Sequence, residues 1–263
     1  MKLLIYDKNK WITVAETEEE ITPVQFMQIS KVLHSDMNML AAGLAVLKIM
    51  SGVSWFKFKC IPADAKLICM DHVQWILKEW SPTHQLLPVY KKFYGPADEL
   101  DNLTLSEFYF CEKYYNDYVC GEGGDRPLAL NNLVAVLYRA AKPGYDIKKN
   151  LEGDIRIPFN GNAVAWYSIM IGRWPLHTRQ AVLLYYDGCR KNLAKLYPEI
   201  FPQQSVADND DNDSDMFGII RGLAGGKYGD FEKTEQLPLH TALRELQYIL
   251  AEEEKIKAST PAT

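Results

Sequence analysis

TLSEFYFCEKYYNDYVCGEGGDRPLALNNLVAVLYR, residues 104–139, is the stretch from which the fold of this chain is read. Thr104 followed three residues later by Glu107 has the pattern of a capping box. In that motif a hydroxyl and a carboxylate satisfy two of the amides that a helix start leaves bare. Behind it Phe108, Cys111, Tyr115, Tyr118 and Val119 recur at helical spacing and define one apolar face. GEGGDRP interrupts the pattern, and LALNNLVAVLYRAA then reads as a buried helix ended by Pro143 and Gly144. Two helices that each need cover imply a mainly α fold.

The same signals extend outward. KLLIY and WITVA are β-prone runs separated by Asp7, Lys8, Asn9 and Lys10, which predicts an N-terminal β-hairpin. Thr22, Pro23 and Gln25 supply a cap, a first-turn proline and the returning amide, so a helix is expected over 23–34 and a second over 36–51. Gly52 and Pro62 break the pattern. ADAKLICMDHVQWILKEW resumes it, with Leu67, Met70, Val73, Ile76 and Leu77 on one face, until Ser81-Pro82. Residues 83–103 read as irregular or extended, and 145–162 as a polar connection with one or two short strands. AVAWYSIMIG and LHTRQAVLLYYDGCRKNLAKLY read as two further helices, and LPLHTALRELQYILAEEEKIKA as a last one. The expected architecture is a multi-helical body with a short N-terminal β-hairpin and minor additional β, plus a C-terminal helix beyond an acidic linker. Its segments are a hairpin packed on the body (1–16), the helical body with a sub-boundary near 82–103 (17–202), the linker (203–215) and a C-terminal helical segment (216–263).

Composition excludes several classes. A net charge of -5 argues against a nucleic-acid binder, whose affinity rests on Lys and Arg meeting phosphates. The five cysteines, Cys60, Cys69, Cys111, Cys120 and Cys189, are odd in number and contain no CxxC, which fits free thiols in a reducing cytoplasm. No stretch nears the length of a membrane span and the N-terminal apolar run is too short for a signal peptide, so a cytoplasmic protein is expected.

Residues 206–231, VADNDDNDSDMFGIIRGLAGGKYGDF, offer two ligand motifs in sequence. A calcium loop begun at Asp208 has Asp210 and Asn212 in place, but Asp213 where the turn glycine belongs and Ile219 where the closing Glu belongs. Begun at Asp211, it meets Met216 and Gly222 at those positions. A phosphate loop fails too: Gly222 and Gly226 are one residue too close, and Tyr228 replaces the hydroxyl that holds magnesium. A solvated acidic tether leading to a glycine turn is the simpler reading. Cys60, Cys69 and His72 would make three zinc ligands without a fourth, and Cys69 and His72 sit in an apolar helix pattern. His34, His84, His177 and His240 are scattered, and neither GxSxG nor HExxH occurs. No catalytic, cofactor or metal residue is therefore assigned.

What remains is contact surface. Phe108, Tyr109 and Tyr115 on the aromatic helix, and Leu239, Leu243, Leu246 and Leu250 along one stripe of the last helix, are the candidate partner-binding residues. Glu253 and Lys257 add a favourable pair on the outer face of that helix. The helix has two uses open to it, folding back on the body or docking on a partner.

ITPVQFMQISKVL with LAVLKIMSGV, LDNLTLSEFYFCEKYYNDY followed by LNNLVAVLYR, and GGKYGDFEKTEQLPLHTALRELQYILAEEE come in an order that resembles tail-assembly chaperones encoded among bacteriophage tail genes. The resemblance covers about half the chain and carries over no site residues. It implies a non-enzymatic role: binding a tail component such as the tape-measure protein during assembly, or being built into the particle as a structural virion subunit. The competing expectation is an enzyme that binds metal or nucleotide through the acidic and glycine-rich segment.

Overall fold

The computed structural model describes residues 2–5, 10–15, 17–78, 80–121, 125–145, 153–201 and 231–259. The acidic linker and the glycine-rich stretch expected over 203–230 lie outside the described residues, as do the side chains of the Glu253–Lys257 pair. The fold is mainly α with small antiparallel β elements. Among the described residues no helix is long and apolar enough to cross a membrane. The chain forms two compact units, Met1–Leu87 with Arg173–Gly188, and Pro88–Gly172 with Cys189–Thr263.

In the first unit, β1 (Lys2–Ile5) pairs antiparallel with β2 (Lys10–Thr13), Leu3 opposite Ile12. Helix α1 (Pro23–Leu33) starts with a complete capping box: Gln25 N–H donates to Thr22 Oγ1 at 3.3 Å and Thr22 N–H to Gln25 Oε1 at 2.9 Å. The Gln25 amide also donates to the Ile49 carbonyl at 3.1 Å, tying this cap to the last turn of α2 (Met39–Ser51). Helix α2 begins later than expected, because Asn38 caps it by accepting from the Ala41 N–H at 2.9 Å. Gly52 ends it in the left-handed region at φ 62°. Phe26, Ile29, Val46, Leu47, Val73 and Ile76 are buried in this unit, and Trp80 meets the Phe26 ring edge-on at 5.6 Å.

Two expectations are corrected here. The break over 52–62 holds a short helix, α3 (Trp55–Lys59). Residues 63–80 are not one helix but α4 (Ala63–Met70), a 3₁₀ turn (Asp71–Val73) and α5 (Gln74–Lys78). The tighter 3₁₀ turn advances the side chains further per residue, so one continuous apolar stripe cannot persist across it. Cys69, Val73 and Ile76 turn inward, and Leu67 is left exposed.

Helix α9 (Leu176–Leu196) contributes its residues through Gly188 to this unit and the rest to the second. Thr178, Ala181, Val182, Tyr185 and Tyr186 are buried. Gly188 sits inside the helix because the chain before it lies close: a Cβ there would stand 2.7 Å from Pro82 N and Ser81 C, and nearer still to Pro82 O.

In the second unit, β3 (Val89–Tyr90) and β4 (Phe93–Tyr94) form a hairpin, and β5 (Arg139–Ala140) pairs with β4 on its other side. Helices α6 (Leu105–Cys120), α7 (Arg126–Leu137) and α8 (Val164–Ile171) pack in succession. Helix α7 stops at Leu137 rather than running to residue 141, since Tyr138 is already extended at ψ 113°. Residues 231–259 hold two helices, the short α10 (Phe231–Glu235) and the long α11 (Leu239–Ser259). The start of α11 is joined to the start of α6 by paired main-chain bonds, Leu105 N–H to Leu237 O at 2.9 Å and Leu239 N–H to Leu103 O at 2.8 Å.

Gly188→Ala is expected to destabilise the protein by about 1 to 3 kcal/mol, because the atoms in the way are backbone and cannot rotate aside. Urea unfolding of the variant checks this; an unchanged midpoint would refute the close approach. A second expectation concerns pH. Trp80 Nε1 and the His84 N–H each donate to the Glu18 carboxylate at 3.3 Å, yet burial still raises its pKa above the ordinary value. The stability Glu18 contributes is thus full below the unfolded carboxyl pKa and is lost as pH rises through the raised folded value. Glu18→Gln is expected to gain on the natural protein in thermal midpoint as pH rises from about 4 through that raised folded value. A difference that does not grow with pH would contradict it.

Candidate functional site

The residues expected to meet a partner divide into inward and outward groups. Phe108 is fully buried and stacks edge-on with Phe201 at 6.2 Å; Tyr109 is buried beside Phe110. Leu239 and Leu243 are buried. These four side chains are used within their own unit and are not available as surface in this conformation. Tyr115, Leu246 and Leu250 are half-buried. Tyr115 lies under the Arg190 guanidinium, 4.9 Å from ring centre to carbon, while Arg190 Nε donates to both Glu112 oxygens at 2.9 and 3.0 Å. The last helix therefore folds back at its start. His240 reinforces the joint, with Nδ1 3.2 Å from the Tyr197 hydroxyl and Nε2 3.3 Å from the Glu99 carbonyl. Glu99 and Leu100 hold successive left-handed conformations at φ 54° and 66°, a strained pair for residues with side chains.

Beneath α6 lies a set of buried charges that no sequence motif marks. Glu107 does not complete the expected capping box. Its N–H donates to Thr104 Oγ1 at 3.3 Å, but its carboxylate turns inward. There Glu107 Oε1 accepts from Arg139 Nη2 at 2.9 Å, and Oε2 lies 3.5 Å from Arg156 Nη2. Asp154 holds Arg156 from the other side, at 3.0 Å to Nε and 2.8 Å to Nη2. Both arginines also cap the end of α7: Arg139 Nη1 donates to Val136 O at 2.9 Å, and Arg156 Nη1 to Leu137 O at 3.0 Å. Burial lowers the Arg139 pKa, and the neighbouring Arg156 charge adds to that. Cys111 is fully enclosed nearby, and burial, with Glu107 and Glu112 adding to it, pushes its thiol well above its usual range. It is a protonated core thiol, not a nucleophile. The only sequence signal for this cluster was an arginine closing an apolar run at 138–139 and another inside DIRIP.

Outward-facing apolar side chains are the other feature. In the first unit Trp55 is 55% exposed, Phe56 80% and Ile68 67%, with Leu67 also exposed. They stand on α3 and α4, the two helices that the sequence misplaced or merged. The pair is held together by Lys66, whose Nζ lies 5.1 Å over the Phe58 ring and donates to the Lys59 carbonyl at 3.4 Å. Phe58 itself is buried. In the second unit, α8 buries Val164, Ser168 and Ile171 and turns Trp166 and Ile169 outward.

Among the described residues no three His, Cys, Asp or Glu side chains are placed to hold a metal ion. Cys60 is exposed and Cys69 buried, so that pair and His72 do not converge. No family model, curated protein or solved structure matches the chain.

Removing Glu107 leaves two buried guanidiniums short of a counter-charge. Glu107→Ala is expected to cost about 3 to 5 kcal/mol in urea unfolding, whereas replacing Glu107 and Arg139 together by apolar residues should recover part of that loss. Equal losses for the single and double variants would show that the charges do not act as one network.

Proposed function

We propose that this chain is a non-enzymatic protein-interaction protein that assists phage tail assembly, or becomes part of the tail, by binding another tail component such as the tape-measure protein. The observation that carries the reading is the exposed aromatic and aliphatic surface of α3 and α4. Trp55, Phe56 and Ile68 are each more than half exposed, while Phe58 in α3 is buried. A soluble fold gains nothing from leaving large aromatic side chains in water, whereas aromatic anchors dominate the energetics of protein interfaces. The order of helical motifs that resembles tail-assembly chaperones supplies the tail context. The contact elements first expected, the aromatic helix and the last helix, keep a part through Tyr115, Leu246 and Leu250.

The test is co-expression of the full chain with the tail components encoded beside it, the tape-measure protein first, followed by size-exclusion chromatography. A stable complex is expected, and Phe56→Glu with Ile68→Glu should weaken it at least about tenfold while leaving the circular dichroism spectrum unchanged. A complex indifferent to both substitutions would move the site elsewhere. Failure of every tail component to bind would overturn the reading.

A further inference from the structure

The geometry points to a partner of defined chemistry for the α3–α4 surface: a protein segment in which carboxylates alternate with apolar anchors. The carboxylates meet Lys57, Lys59 and Lys66, and the anchors cover Trp55, Phe56 and Ile68. This deepens the protein-interaction reading and rests on it.

Charge complementarity carries the argument. Residues 54–70 contain three lysines against Asp64 alone, a local excess of positive charge in a chain whose net charge is -5. Among the described residues none of the three ammonium groups has a carboxylate partner. Two of them are held in place nonetheless. Lys59 Nζ stands 5.0 Å over the Trp55 ring, and Lys66 Nζ is fixed between the Phe58 ring and the Lys59 carbonyl. An uncharged partner covering Trp55 and Phe56 would strip water from these cations and return nothing, which is costly. Carboxylates return charge-assisted hydrogen bonds at the same places, so an acidic partner is selected over an apolar one of equal shape.

Other anionic partners fit less well. An interfacial helix lays a long continuous apolar face on a bilayer, but α3 is five residues long and turns Phe58 into the core. Leu67 and Ile68 have no role in stacking bases, which single-stranded nucleic acid requires of its apolar contacts.

The experiment titrates the full-length chain against a fluorescein-labelled peptide of repeated Glu-Leu-Asp-Phe and its Gln-Leu-Asn-Phe counterpart, read by fluorescence anisotropy. Phosphatidylserine–phosphatidylcholine vesicles and a single-stranded oligonucleotide serve as the other anions. Saturable binding of the acidic peptide is expected, weaker by at least about tenfold for its amide counterpart and for Lys57→Glu with Lys59→Glu, the sum of several exposed pairs. Raising salt from about 50 to about 300 mM should weaken it as well. Phe56→Glu should abolish it. Equal binding of the two peptides, or a preference for vesicles or oligonucleotide, overturns the inference. If neither peptide binds while the tail-component complex survives the lysine reversals and fails with Phe56→Glu, the interaction reading stands and the acidic partner falls. If that complex is absent too, both fall.

Discussion

The contact between one carboxylate, Glu107, and two guanidiniums, Arg139 and Arg156, is the constraint on which the second unit depends. Burying like charges side by side is unfavourable unless each keeps a full set of partners, and here each does. Arg139 reaches Glu107, the Val136 carbonyl and the Ile157 carbonyl; Arg156 reaches Asp154, the Leu137 carbonyl and Asn102. The net gain in stability from such a knot is small, because desolvation offsets most of the attraction. Its effect is on shape. The guanidiniums take the last carbonyls of α7, so the helix has no need of a further turn, and Tyr138 is free to leave it for the extended backbone of β5. The segment after Asp154 is then drawn alongside, with Ile157 N–H on the Ala140 carbonyl at 2.9 Å.

That dependence explains which parts of the fold could be read from sequence. Helix starts were legible, because a cap is a local event. Thr22 with Gln25, and Thr104, act through backbone amides three residues away, whereas the Asn38 cap of α2 was not read. The mainly α class followed from the apolar spacing of the helices those caps open. Helix ends set by distant charge were not legible. Nothing within LALNNLVAVLYRAA announces that residues at 139 and 156 will intercept its final carbonyls. The same limit applies at Gly188. Inside a helical pattern a glycine reads as a weak point, and its reason is a close pass of Pro82, roughly a hundred residues earlier in the chain.

The candidate contact residues divide on a related distinction. A stripe at helical spacing says that a face needs cover, but not who supplies it. For Phe108, Tyr109, Leu239 and Leu243 the cover comes from the unit itself. Trp55, Phe56, Leu67 and Ile68, left without cover, lie where the pattern was broken by Gly52, Pro62 and the 3₁₀ turn after Met70. A short helix cannot turn every apolar residue inward. In α3 the choice of Phe58 for the core leaves its neighbours Trp55 and Phe56 outside. That surface was invisible to a search for regular periodicity because it arises from the failure of periodicity.

The last helix joins these two themes. Its first turn is fixed to α6 by main-chain bonds at Leu105 and Leu239, and by His240 against Tyr197. Further along, cover thins: Leu246 and Leu250 are half-buried and Tyr248 is exposed, with its hydroxyl on Glu252. One stripe of leucines therefore begins as core and continues past it. Local stability follows the number of buried contacts, so the helix is held most firmly at residue 239 and opens most easily toward its C-terminus. A surface of that kind is ordered enough to present side chains at fixed spacing, yet it retains apolar area that its own unit does not use. It is a lesser counterpart of α3 and α4: there Trp55, Phe56, Leu67 and Ile68 are exposed beside Lys57, Lys59 and Lys66, whereas here Tyr248 alone of the three is exposed, between half-buried Leu246 and Leu250.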